Sequence, residues 1–83
     1  MTLRPELIEE IEATLEREAE APGNPTGDDR LDRLTWLRLI DEHRIHATQY
    51  GASDEEYRHE LVTIAALAVA AIEAHDRSHE EIE

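Results

Sequence analysis

The sequence predicts an all-α chain of three helices, and three observations carry that prediction. Apart from Pro5, the chain-breaking residues are confined to Pro22-Gly23-Asn24-Pro25-Thr26-Gly27 and to Gly51, leaving three uninterrupted stretches. Within those stretches apolar residues recur at intervals of three and four, and none alternates residue by residue as a half-buried strand would. The 83 residues carry 35% charged and 4% aromatic side chains, which suits one small domain covering residues 1–83.

The first helix is expected over residues 1–21. Thr2 is the candidate cap and Pro5 sits in the opening turn, where its missing N–H costs nothing. Leu7, Ile8, Ile11, Leu15 and Ala19 form one stripe, and Glu6, Glu9, Glu10, Glu12, Glu16, Glu18 and Glu20 make the other face. Residues 22–27 read as a linker. The second helix spans 28–50, with Asp28 and Asp29 near its positive N-terminal end and Gly51 stopping it after the last turn. The third opens at Ser53-Asp54-Glu55-Glu56, which has the spacing of a capping box, and covers 53–80. A short N-terminal helix is thus followed by a long antiparallel helix pair.

The third helix sets the expected assembly. Leu61, Val62, Ile64, Ala65, Ala66, Leu67, Ala68, Val69, Ala70, Ala71 and Ile72 point in every direction around its axis. A helix that is apolar all round calls for cover all round, and two further helices from one small chain enclose it poorly. Its alanines also allow close approach of another helix, so a homodimer or higher homo-oligomer is expected, with Leu67 in the interface. The competing reading is that an alanine-rich run simply propagates helix well and stays partly exposed.

Composition excludes several functions. With no cysteine there is no disulfide framework, thiolate metal site or thiol nucleophile, and a cytoplasmic setting is expected. All 8 basic residues are arginine against 21 carboxylates, for a formal charge of −13, so direct nucleic-acid binding is disfavoured. The longest apolar run, 61–72, contains Thr63 and is about half the length of a bilayer span, and the Met1-to-Pro5 terminus lacks an apolar signal core. No membrane role is expected.

On a helical wheel Trp36, Leu39, Ile40, His43, His46, Ala47 and Tyr50 share one face of the second helix, with Glu42 at its border. His43 and His46 therefore lie toward the core side, and Glu42, four residues before His46, lies within reach of the same point. On the third helix Glu56 and Glu60 are one turn apart, and Thr63 and Leu67 continue that side. Each cluster also has a purely structural reading. Paired histidines at the edge of a core commonly hydrogen-bond, Glu55 and Glu56 suit a helix N-terminus, and His75 and His79 suit a C-terminus. Trp36 reads as a core anchor and His59 as solvated.

Leu34-Thr35-Trp36, then Glu42, then the run from Glu60 through Leu61-Val62-Thr63-Ile64-Ala65-Ala66 to Ala74 resemble the MazG-type all-α nucleotide pyrophosphohydrolase superfamily. The similarity is greatest to the short MazG-like proteins of high-GC bacteria and their phages. It covers roughly residues 34–77; residues 1–27 lie outside it. The resemblance implies a helical-bundle oligomer that holds Mg²⁺ through a Glu-Glu-x-x-Glu motif on one helix and Glu-x-x-Asp, or Glu-x-x-Gln, on the next. Here the first motif becomes Glu42-His43-Arg44-Ile45-His46 and the second Glu60-Leu61-Val62-Thr63. Taking Asp41-Glu42 as the acidic pair instead would put Ile45 at a ligand position.

The implied metal site is Glu42, His43, His46 and Glu60. Replacing carboxylates by imidazoles shifts the preference from Mg²⁺ toward Mn²⁺ or Zn²⁺. Arg38, Arg44 and Arg58 are the implied nucleotide-phosphate contacts, and Glu42 and His46 the catalytic candidates. The lost acidic ligands favour a degenerate MazG-like protein that binds a nucleotide or a protein partner without efficient catalysis. The alternative is a metal-dependent pyrophosphohydrolase that cleaves a nucleoside triphosphate to monophosphate and pyrophosphate. A second alternative is a small acidic inhibitor of phage origin that mimics nucleic acid, drawn from the carboxylates of the first helix and of Glu80-Glu81-Ile82-Glu83.

Overall fold

The computed structural model describes residues 2–20, 32–49 and 51–80; of Ala19, Glu20, Ser78 and Glu80 only the backbone is described. Three helices account for most of these residues: α1 (Pro5–Glu20), α2 (Arg33–Ala47) and α3 (Asp54–Glu80). The expected linker at 22–27 and the expected helix start at Asp28 and Asp29 lie outside the described residues, as does Tyr50. No described helix is long and apolar enough to cross a membrane.

Local chemistry accounts for the starts of the three helices and the end of α2. Pro5 is the first helical residue of α1, and the Arg4 carbonyl accepts from Leu7 and Ile8 N–H at 3.1 Å each. Arg4 therefore occupies the capping position expected for Thr2, which lies outside the helix. Asp32 caps α2: its backbone is extended and its carboxylate accepts from Thr35 N–H at 2.8 Å. That hydrogen bond holds the Asp32 carboxyl below its ordinary pKa. At the far end Thr48 closes α2, donating its N–H to the Arg44 and Ile45 carbonyls. Gly51 then turns the chain at φ +90°, a left-handed conformation that glycine adopts without strain. The capping box at the start of α3 is present in both directions. Glu56 N–H donates to Ser53 Oγ at 3.1 Å, and Ser53 N–H donates to Glu56 Oε1 at 3.4 Å.

α3 is the spine on which the other two helices pack. Trp36 near the start of α2 clusters with Leu67, Ala70 and Ala74 late in α3, while His43 further along α2 meets Glu60 early in α3. α2 and α3 therefore run antiparallel. α1 lies along α3 in the opposite sense to α2, with Glu10 bonded to Arg58 and Leu15 packed against the Trp36 cluster. The core is small: Trp36, Val62, Ala66, Leu67, Ala70 and Ala74, bordered by Leu15, Leu39, Ile40 and Ala71.

Three features bear on the sequence expectation, and the first two depart from it. Among the described side chains of α1 it is Thr14 that is buried, while Ile8 of the expected stripe stays exposed. The Thr14 hydroxyl donates to the Glu10 carbonyl at 2.9 Å and accepts from the Arg17 guanidinium at 3.1 Å, so its burial leaves no polar atom unpaired. Leu67, expected between chains, is only 3% exposed within one chain and belongs to its own core. Finally, the two other helices of its own chain do not cover α3 all round, as expected: Leu61, Val69 and Ile72 are exposed.

Candidate metal centre

The antiparallel packing of α2 on α3 brings two histidines to one glutamate. His43 and His46 are three residues apart and so project from neighbouring positions on α2, with rings 6.0 Å apart and nearly perpendicular. Glu60, one turn and a half into α3, reaches across. Its Oε2 lies 2.6 Å from His43 Nδ1, and its Oε1 lies 3.9 Å from His46 Nδ1. One donor atom from each of the three residues lies within 4.8 Å of the other two. Burial grades across the cluster: the Glu60 side chain is 17% exposed, His43 29% and His46 58%. The site is thus closed on the Glu60 side and open to solvent on the His46 side.

The three residues form a group that could hold a metal ion. Two donors bound tetrahedrally at ~2.0–2.1 Å sit about 3.3 Å apart. One Glu60–imidazole distance is shorter than that figure and the other longer, and the three donors lie within 4.8 Å of one another, so both helices' side chains would draw together around an ion. Two imidazoles and one carboxylate suit Zn²⁺ or Mn²⁺ better than Mg²⁺, which favours oxygen donors. Without an ion, the Glu60–His43 hydrogen bond itself ties α2 to α3.

The remaining candidates are dispersed. Glu42 is exposed on α2 and is not among the three converging groups. Thr63 is buried, but its hydroxyl donates to the His59 carbonyl at 3.1 Å and is occupied with its own helix. Glu56 is engaged in the capping box. Of the three arginines, Arg38 is exposed, Arg44 pairs with Asp41 at 2.5 Å, and Arg58 grips Glu10 through both terminal nitrogens at 2.6 and 2.8 Å. These hydrogen bonds raise the pKa of Arg44 and Arg58, and the Arg58 contact lowers that of Glu10. The Arg58–Glu10 pair joins positions 48 residues apart, and no local spacing in the sequence announces it.

No family model, curated protein or solved structure matches the chain.

Proposed function

We propose that this protein is a metal-binding helical protein, a degenerate relative of the MazG-like group, in which His43, His46 and Glu60 hold a divalent transition metal. The observation that carries the reading is the convergence of two imidazoles and a largely buried carboxylate across the α2–α3 contact. A bound ion would supply Lewis acidity toward phosphate oxygens. The chain's own residues provide the rest. Glu60 and His43 fix the site between two helices, and exposed His46 leaves its solvent side open to a nucleotide phosphate.

Binding without efficient cleavage is the better reading for two reasons. The resemblance supplies carboxylates at positions 43 and 46, where this chain has histidines, and an acid or amide at 63, where it has a buried threonine. The local cations also favour it, because Arg44 and Arg58 are already engaged by Asp41 and Glu10. The test is calorimetric titration of chelator-stripped protein with Zn²⁺, Mn²⁺ and Mg²⁺, then with nucleoside triphosphates under a pyrophosphate assay. Zn²⁺ or Mn²⁺ binding in preference to Mg²⁺, without pyrophosphate release, is expected. Silence toward the transition ions would overturn the metal site, and brisk pyrophosphate release would replace the binding role with hydrolysis.

A further inference from the structure

At the opposite end of the α2–α3 contact from the metal centre, where α2 begins and α3 ends, the two helices leave an open-mouthed cavity of about 770 Å³. Among the described residues its apolar walls are Leu34, Trp36, Leu37 and Ile40 of α2 and Ala71 and Ala74 of α3. The alanines contribute only methyl groups, so nothing from α3 fills the space at that level. Buried Trp36 supplies an aromatic wall, and exposed Leu34 and Leu37 are the apolar lining residues most open to solvent. The volume lies within the roughly 300–1,000 Å³ of small-molecule sites.

The polar lining sets this cavity apart from the rest of the surface. It consists of Asp32, Arg33, His75 and His79, so three of these four groups are of the basic type in a chain with 21 carboxylates against 8 arginines and 5 histidines. The one carboxylate is occupied: Asp32 Oδ1 accepts from Thr35 N–H at 2.8 Å, and its charge is set against the positive end of the α2 dipole. Arg33, by contrast, has no ion-pair partner among the described residues. His79 Nδ1 lies 3.2 Å from the His75 carbonyl, which can only accept, so that nitrogen carries the proton and Nε2 is the ring atom left for a ligand. The two imidazoles also pack on each other, with centroids 4.2 Å apart.

An apolar cavity with a guanidinium and an imidazole at one end is complementary to a molecule with an apolar body and a carboxyl head. We propose that the cavity binds a small amphipathic carboxylic acid, its body against Trp36, Leu37, Ile40 and Ala71 and its carboxylate at the Arg33 and His79 end. Arg33 supplies a fixed charge and a planar fork that a carboxylate matches. His79 Nε2 shares one proton with the carboxyl group, whichever partner brings it. A multiply charged phosphate fits less well, because one arginine beside Asp32 offsets little of its charge, and a second copy of the chain would bring a further −13. His75 follows Glu60 by 15 residues, about 22 Å along α3, so this site and the metal centre stand or fall separately.

The test titrates the full chain, with a chelator present, with decanoate, decan-1-ol and decyltrimethylammonium below their micelle concentrations, following Trp36 fluorescence. Trp36 is the chain's one tryptophan and lines the cavity, so it reports occupancy directly. The three probes share a tail and differ in the charge of the head. Decanoate is expected to saturate and to bind at least about 10-fold tighter than the alcohol, the factor that one charge-assisted hydrogen bond supplies, with the ammonium weakest. Overall charge alone would favour the ammonium, so the expected order runs against non-specific attraction. Arg33→Gln should remove most of the advantage of decanoate and leave decanol binding unchanged, and Arg33→Lys should restore part of it. Arg33 is exposed, and circular dichroism checks that the variants keep their helices. Preference for the ammonium, no saturable change with any probe, or a decanoate preference that survives Arg33→Gln combined with His79→Gln overturns the proposal. Displacement of decanoate by a nucleoside triphosphate under the same conditions overturns the carboxylic-acid class and assigns the cavity to nucleotides.

Discussion

Leu67→Ala tests the packing account at its centre. Leu67 is 3% exposed and shares the buried cluster with Trp36, Ala70 and Ala74, and the alanines have no longer side chain to fill a vacancy. Truncation therefore removes the transfer free energy of the lost carbons and also leaves a cavity that collapses poorly, so the cost should lie near 3–4 kcal/mol within the usual 2–5. A chain of 83 residues is stable by roughly 4–12 kcal/mol at 0.05–0.15 per residue. The variant should lose a large part of that and melt roughly 20 °C lower. Leu37→Ala is the control: Leu37, on α2, is 61% exposed, so its loss should cost under about 1 kcal/mol. Urea denaturation followed by Trp36 fluorescence and by circular dichroism measures both. A Leu67→Ala cost below about 1 kcal/mol, or equal costs for the two variants, would refute the assignment of the core.

Two smaller perturbations test the helix ends and the α1 contact. Ser53→Ala removes the side-chain half of the capping box and should cost about 1 kcal/mol in urea denaturation, whereas Ser53→Asp should retain most of the stability. Arg58 lowers the Glu10 pKa below its ordinary value of 4.5, so the pair's contribution is present above that pH and is lost as pH falls through the depressed pKa. Glu10→Gln should accordingly be less stable than the parent at neutral pH and equal to it in strong acid. A stability difference that is independent of pH would contradict the pairing.

Much of the fold was legible because its signals are local. Pro5 in the first turn, the Ser53–Glu56 capping box and the Gly51 turn each act within a few residues, and each stands where the pattern puts it. Trp36 and the core-side placement of His43 were legible from helical spacing alone. The start of α2 was harder to read, since Asp28, Asp29 and Asp32 are all good capping residues; the observed cap at Asp32 is defined by its hydrogen bond to Thr35. The burial of Thr14 was hidden because a hydroxyl that bonds its own helix is compatible with a core, although hydropathy ranks it as polar. In α3 the apolar residues run all round, so periodicity could not separate core Leu67 from outward Leu61 and Ile72. Spacing within α2 brought Glu42 into the candidate metal site. Glu42 does not join the cluster, whereas Glu60, which entered through the resemblance, does, carried to the histidines by the packing of α2 on α3.

The metal centre is the central claim, and thermal denaturation with and without Zn²⁺ tests it most directly. An ion that binds only the folded chain stabilises it by about 2.7 kcal/mol at one hundred times its dissociation constant, which for a chain of this size raises the melting temperature by roughly 10–20 °C. The account predicts that shift for the chelator-stripped protein, its loss in Glu60→Ala, and its persistence in Glu42→Ala. No shift with Zn²⁺ or Mn²⁺, or a shift that survives Glu60→Ala and disappears in Glu42→Ala, would contradict it.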